Sequence, residues 1–327
     1  MEAKIISTGS YLPSTSVPNQ QLEMLMDTND EWIKSRTGIE ARHLSETENT
    51  SVLCGKAAIK MLDKANVSAL EVDLIIVATM TPDYQTPSTA CLVQEYIGAR
   101  QVMAFDINAA CSGFVYALSI AEKMVQSGNF RYALVLGGEV MSKVIDWEDR
   151  STAVLFGDGA GGVLLKGVNE KKSFLAEDIH ADGSRGLSLT ARPLTTKDPF
   201  SKTTDEIQQT GYLKMDGRAI FDFSIRNVPA SIRQLAEIGE TQLAEVDYYL
   251  LHQANYRIVE AIAKKLKLPM SKFKTNMQHY GNTSAASIPI LLDEVVSSGE
   301  LKLGSGQKIV LTGFGGGLTW ASILIEL

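Results

Sequence analysis

The chain has 327 residues, of which 45% are apolar and 21% charged, with a net charge of -7. No run of about eighteen apolar residues occurs, and the opening "MEAKIISTGSYLP" lacks the basic start and long apolar stretch of a secretion signal, so neither a membrane span nor an exported protein is expected, and a cytoplasmic location is. The acidic balance argues against a nucleic-acid partner held through phosphates, and three cysteines (Cys54, Cys91, Cys111) without a CxxC spacing argue against a disulfide framework or a thiolate metal site.

Short apolar runs alternate with amphipathic patterns along the chain, which predicts an α/β layer protein with buried sheets. "VDLIIVAT" (72–79) reads as the first clear buried strand. "TPSTACLVQEYIG" follows as a helix, with Thr86 expected at the cap, Pro87 at the first helical position and Gly98 past the end. A further helix is expected from Cys111 to Gln126, stopped at Ser127-Gly128, before the strand "YALVLGG" (132–138). The long polar stretch from about Ser184 to Gly217 suggests a loop over a site. "VDYYLLH" (246–252) and "KIVLTGF" (308–314) are again buried strands. Between them, residues 257–274 carry Arg257, Lys264, Lys265, Lys267, Lys272 and Lys274 against Glu260 alone, a basic island in an acidic chain.

An internal repeat organises these elements. "LEVDLIIVAT" and "AEVDYYLLHQ" share Glu-Val-Asp before a buried strand, and "CSGFVYALSIAEKMVQSG" and "NTSAASIPILLDEVVSSG" are helical patterns ending in Val-x-Ser-Gly. Counted back from that stop, Cys111 and Asn282 hold the same place. "FGDGAGGVLL" and "GFGGGLTWASIL" give a third match in the same order. Two similar βα halves, residues 1–170 and 171–327, would bring Cys111, His252 and Asn282 to one cleft.

The chemistry of those three residues is suggestive. A thiol attacks as thiolate, and a cysteine opening a helix gains from the unpaired N–H groups there. Cys54 and Cys91 read instead as small buried helix residues. His252, just past a buried strand, and Asn282 offer two uncharged donors, suited to stabilising a thioester enolate as a carboxylate leaves as carbon dioxide. The enolate carbon would then attack an acyl group on Cys111. The Cys111 N–H and a backbone donor from the glycine run, expected at Gly316, would hold the tetrahedral oxyanion.

With "NDEWIKSRTGI", "DINAACSGF", "FGDGAG", "LLHQAN", "YGNTSAASIP" and "GFGGGLTW", the whole chain resembles β-ketoacyl-acyl-carrier-protein synthase III. The resemblance implies the thiolase-type five-layered αβαβα fold built from two duplicated halves. It implies an acyl-CoA and malonyl-acyl carrier protein as substrates, with no metal or further cofactor, and a homodimer. It also implies that Trp32 and Arg150 sandwich the adenine of coenzyme A near Thr28 and Arg36, and that Gly217, Phe221 and Asn255 line the pantetheine tunnel. Arg257 matches a carrier-docking residue, and Lys264, with Ala261 and Leu268 at helical spacing, would share its face. Two departures stand out: Asp222 replaces a lysine of some members, and Thr86 replaces the bulky aromatic that can precede Pro87, which suggests a roomier acyl pocket and some use of branched starters. A hydroxymethylglutaryl-CoA synthase would need a glutamate in the loop "ATMTPDY", which carries Met80 instead. A chalcone-synthase-like enzyme shares the Cys, His and Asn but fits the landmarks less well, and a non-catalytic carrier-binding module would have no need of all three.

Overall fold

The structure, a computed structural model, describes residues 1–193 and 211–327. Its first sheet is built from β1 (Glu2–Tyr11), β2 (Leu74–Ala78), β3 (Met103–Ile107), β4 (Tyr132–Glu139) and β5 (Gly159–Val168), in the order β1-β5-β4-β2-β3. The second contains β6 (Phe174–Ala181), β7 (Tyr248–Leu251), β8 (Lys308–Gly315) and β9 (Thr319–Glu326), in the order β7-β8-β9-β6. The helices that frame the site are α1 (Asp30–Thr37), α2 (Thr50–Ala65), α3 (Thr89–Tyr96), α4 (Gly113–Gln126), α5 (Gly217–Ile238), α6 (Tyr256–Leu266) and α7 (Ser287–Ser297).

The two sheets repeat one pattern. β2 runs parallel to β4, which is antiparallel to β5, which is antiparallel to β1; β7, β8, β9 and β6 follow the same sequence of senses. Even the details recur. A capping box at Ser68–Glu71 precedes β2 and another at Gln242–Glu245 precedes β7. Asp73 N–H donates to the Tyr132 carbonyl and Asp247 N–H to the Lys308 carbonyl, while each aspartate side chain accepts from the first N–H of the facing strand. The counterpart of β3 is reduced to a single parallel bridge between Tyr249 and Phe273.

Five layers result. α2 and α3 cover the outer face of the first sheet, α4 and α7 lie between the sheets, and α5 and α6 cover the second. Because central strands are buried on both faces, their residues are divided between cores: Ala133 and Val135 of β4 face α4, whereas Leu134 and Leu136 face α2 and α3. β8 divides in the same way, with Ile309 and Leu311 inward and Val310 against α5 and α6. This is why such strands read as continuous apolar runs rather than as alternating ones. The central layer is closely packed: a Cβ on Gly137 of β4 would stand 2.3 Å from the Ala285 carbonyl oxygen, so only glycine lets the turn before α7 meet that strand.

Several expectations need correction. Thr86 and Pro87 precede α3 rather than open it; Ser88 is the cap, and the Asp106 carboxylate accepts from the Thr89 and Ala90 N–H groups. Cys91 is exposed, whereas Cys54 is fully buried. α6 ends at Leu266, with Lys267 left-handed at φ 57°, so Leu268 lies beyond the helix. The matching of Cys111 with Asn282 also shifts. α7 has eleven residues where α4 has fourteen, and the left-handed residues that lead into the two helices are Ala110 and Ser284. The helix stops align, but at the helix starts Cys111 corresponds to Ala285, and Asn282 sits in the turn before.

Candidate active site

Cys111 lies in a short 3-10 turn, Ala110–Ser112, that continues directly into α4. Ala110 adopts φ 45°, a left-handed conformation that costs an alanine about 1–2 kcal/mol. Gly315 at the end of β8 closes on it from the other side, since a Cβ there would stand 2.9 Å from Cys111 Cβ and 3.1 Å from Sγ. Gly316, the expected oxyanion donor, is one residue further, against Ala110 and Leu189; Gly315 rather than Gly316 borders the cavity that Cys111 lines.

His252 follows the last residue of β7 and is 2% exposed. Its Nδ1 is 2.7 Å from Ser287 Oγ, an oxygen that also accepts from the Gln253 N–H. Among the described residues the Ser287 hydroxyl has no other acceptor, an arrangement that favours donation to Nδ1 and an imidazole proton on Nε2. Burial pushes the His252 pKa down to about 3, so the ring is a neutral donor throughout the physiological range. The Phe314 ring, with its centroid 5.3 Å away and edge-on, supplies part of that apolar surrounding.

Asn282 is held by its backbone to the segment before β5: its N–H donates to the Leu155 carbonyl at 2.8 Å, and its carbonyl accepts from the Gly157 N–H at 3.1 Å. Its side-chain Oδ1 accepts from Ser284 N–H at 2.8 Å, which turns the amide N–H₂ the other way. Cys111, His252 and Asn282 line one cavity of about 460 Å³.

The helix start does not by itself ionise the cysteine. Burial pushes the Cys111 thiol up to about 12, outweighing the Ser284 hydroxyl and the backbone N–H that favour the thiolate. The resting sulfur is therefore a thiol, contrary to the expectation from helix position alone.

Toward its mouth the same cavity is lined by Trp32, Arg36, Arg150, Gly217, Phe221, Asn255 and Arg257. Arg36 and Arg150 both stand over the Trp32 ring, with guanidinium carbons 5.1 and 5.2 Å from its centroid. Arg150 Nη1 donates to the Asp27 carbonyl at 2.8 Å. An aromatic base inserted between Trp32 and Arg150 needs roughly 7 Å, two stacking distances, so Arg150 must swing outward to admit one. Nearby Thr28 has a buried hydroxyl with no partner among the described residues. Asn255 caps α6 through Oδ1 and donates from Nδ2 to the Arg36 carbonyl, so it ties the cavity wall together. Gly217 opens α5, with Asp216 as its cap.

The remaining candidates lie elsewhere. Thr86 is exposed and outside this cavity, and Lys264 is exposed on α6. The basic island is partly spent inward, since Lys272 Nζ donates to the Ala244 and Val246 carbonyls and Lys274 pairs with Glu300. The expected loop over 184–217 falls partly outside the described residues; at its described ends Leu189–Thr190 pairs with Lys214–Met215, and Leu189 and Met215 border the cavity.

One residue escaped the sequence reading. Glu139, the last residue of β4, is fully buried and accepts from Thr79 Oγ1, Met80 N–H, Thr81 N–H and Thr81 Oγ1. The loop "ATMTPDY" has no glutamate of its own, yet it is folded around one from the neighbouring strand. The available signal was an acidic residue closing the apolar run "YALVLGGE".

Comparison with known proteins decides the family. The model of the 3-oxoacyl-[acyl-carrier-protein] synthase III family matches residues 105–183, and the model of its C-terminal part matches residues 237–327. A beta-ketoacyl-[acyl-carrier-protein] synthase III of Enterococcus faecalis is 55% identical over 325 residues, covering 99% of both chains. The chain belongs to this synthase III family. One of Streptococcus mutans is 53% identical over the same coverage. The crystal structure of the synthase III of Aquifex aeolicus, 44% identical, covers 99% of this chain and 100% of its own with a TM-score of 0.92. The five-layered arrangement described above is thus the thiolase-type fold of the synthase III family.

Proposed function

We propose that Cys111, His252 and Asn282 carry out in this chain the initiating condensation of its family, a decarboxylative Claisen reaction of an acyl-CoA with malonyl-acyl carrier protein that yields a 3-oxoacyl-acyl carrier protein. The observation that carries this reading is the common cavity: a buried thiol and two neutral donors at its floor, and an indole with two arginines at its mouth.

In the first half-reaction Cys111 attacks the thioester carbonyl and coenzyme A leaves. The Cys111 N–H and the Gly316 N–H hold the oxyanion, with Gly315 providing the space beside the sulfur. In the second, the His252 Nε2–H and the Asn282 amide donate to the thioester oxygen of the malonyl group while carbon dioxide departs. The enolate carbon then forms a bond to the acyl carbon and the Cys111 sulfur leaves. A neutral imidazole suits this step, because no charge must be created to stabilise the enolate. The reaction needs no cofactor or metal; coenzyme A enters as part of the substrate.

Trp32 and Arg150 hold the adenine once Arg150 turns outward, with Arg36 and Thr28 beside it, and Gly217, Phe221 and Asn255 flank the pantetheine arm. Arg257 and Lys264 meet the acidic carrier protein at the cavity mouth and along α6. β3 supports a homodimer: it is the outer strand of its sheet, its residues are half-buried or exposed, and Met103 on it is 50% exposed. Among the described residues no helix is long and apolar enough to cross a membrane, which is consistent with a cytoplasmic enzyme.

Thr86, exposed outside this chain's own cavity, stands where acetyl-restricted members can carry a bulky aromatic that reaches into the partner subunit's acyl pocket, and the smaller side chain favours a wider range of starters. Product analysis with malonyl-acyl carrier protein and a panel of acyl-CoAs is the test. We expect 3-oxoacyl products from acetyl-CoA and detectable product from isobutyryl-CoA. Absence of any branched product would refute the roomier pocket, and absence of all product would refute the function.

A further inference from the structure

A buried hydrogen-bonded chain leads from the nucleophile to residues that do not line the substrate cavity. Cys111 Sγ is 3.6 Å from Ser284 Oγ and donates to it, and Ser284 Oγ donates to Glu139 Oε1 at 3.1 Å. All three side chains are buried, with Glu139 at 0% exposure. The geometry of the links is set from both halves of the molecule. Ser284 is held at φ 50°, with its N–H donated to Asn282 Oδ1, so the hydroxyl and the catalytic carboxamide are fixed as one unit. Glu139 is pinned by the Met80 and Thr81 N–H groups and the Thr79 and Thr81 hydroxyls.

We propose that Ser284 and Glu139 form a proton relay which takes the Cys111 thiol proton during acylation, stores it while the acyl-enzyme exists, and returns it to the sulfur when the condensation product leaves. The proposal rests on the reading of Cys111 as the acylated residue. Glu139 never meets the substrate; it positions the proton.

The step balances without a further reactant. The S–H proton moves to Ser284 Oγ as the Ser284 proton moves to the Glu139 carboxylate, leaving a thiolate and a neutral acid. The thiolate forms the C–S bond to the acyl carbon, the bond to coenzyme A breaks, and the departing thiolate takes a proton from water. In the second half-reaction the enolate attacks, the C–S bond to Cys111 breaks, and the relay runs backward to restore the thiol and the carboxylate.

Two observations support an acceptor at this place. His252 is an unsuitable base, because burial pushes its pKa down to about 3. Glu139 is far better matched: burial raises its carboxyl to about 7, with the hydrogen bonds from Thr81, Met80, Ser284 and Thr79 limiting the rise. The other ionisable groups that face this site are Cys54 on α2 and Lys143 just after β4, with Asp83 and Asp106 beyond them. Lys143 Nζ is directed to the Thr81 and Pro82 carbonyls rather than to the carboxylate, so Glu139 keeps its capacity to accept a proton.

The test is the pH profile of single-turnover acylation by acetyl-CoA alone, followed by intact mass. The relay needs an ionised Glu139 at the start, so the wild-type rate should rise through a limb near about pH 7 and level off above it. The limb should vanish in Glu139→Gln, and acylation should be slowed on the order of 10²-fold in Glu139→Gln and in Ser284→Ala. A wild-type profile without that limb, or a limb that persists in Glu139→Gln, would overturn the relay while leaving the function intact. No acylation of the wild type would strike instead at Cys111 as the nucleophile.

Discussion

In the proposed reaction three side chains of different chemistry would divide the work, and each is prepared by its surroundings. Cys111 is a thiol raised to about 12 by burial, and His252 is a neutral ring lowered to about 3 by the same cause acting on a base. The consequence for pH is direct. Because His252 carries no charge to lose, decarboxylation of malonyl-acyl carrier protein should be flat from about pH 5 to about pH 8, and a limb near 6.5 in that range would show a charged imidazole at work. Asn282→Ala should still acylate but lose decarboxylation by roughly 10²–10³, the cost of one preorganised donor, as measured by carbon dioxide release. Equal loss of both half-reactions would contradict the division of labour. Sequence patterning found these three residues because each stands beside an abrupt change from an apolar run to small or polar residues. It missed Glu139, whose partners come from a neighbouring strand and a distant turn, and it overrated the helix start at Cys111 because burial cannot be read from spacing.

Between the elements, the repeat explains how the site is assembled. α4 and α7 share the central layer, and both rest on β5 and β4. Asp293 of α7 ties this layer to the rest: its carboxylate accepts from Thr8 and Ser10 of β1 and from Lys64 of α2. Burial alone would raise its pKa, but Lys64, Ser10 and Thr8 outweigh burial and the net shift is downward. A carboxylate depressed in the folded state stabilises above its unfolded value, near pH 4, and that contribution is lost as pH falls through the folded value. Asp293→Ala should cost roughly 1–3 kcal/mol at pH 7, and the gap between variant and wild type in urea midpoints should narrow below about pH 4. A gap that widens in acid would mean that the aspartate acts otherwise. Strand identity and the two-half plan were legible in the sequence, since doubly buried strands leave uninterrupted apolar runs. Helix starts were less so: the repeat counted from the helix stops hid that α7 is three residues shorter than α4. Thr86 followed the usual Thr-Pro pattern, whereas Ser88 and the Asp106 carboxylate cap the helix in space.

For the molecule as a whole, the sheet edge nearest the nucleophile in sequence is the one that bears on assembly. β3 is the outer strand of the first sheet, and it ends shortly before Cys111. A second copy adding its own β3 would extend the sheet and remove the edge. Met103→Glu or Phe105→Asp should convert a dimer to monomer in sedimentation equilibrium, with activity falling in parallel. A wild-type monomer at micromolar concentration would refute the assembly. Overall composition argued against a nucleic-acid partner or a membrane span before any element was assigned, whereas the narrowing of the basic island became visible only once Lys272 was seen donating to backbone carbonyls and Lys274 paired with Glu300.

The most direct test of the account is the fate of a labelled acetyl group. Incubation with labelled acetyl-CoA followed by peptide mapping should place one label on the peptide containing Cys111. Addition of malonyl-acyl carrier protein should then clear that label into a 3-oxoacyl product. Label found on another residue, or label on Cys111 that malonyl-acyl carrier protein fails to remove, would contradict it.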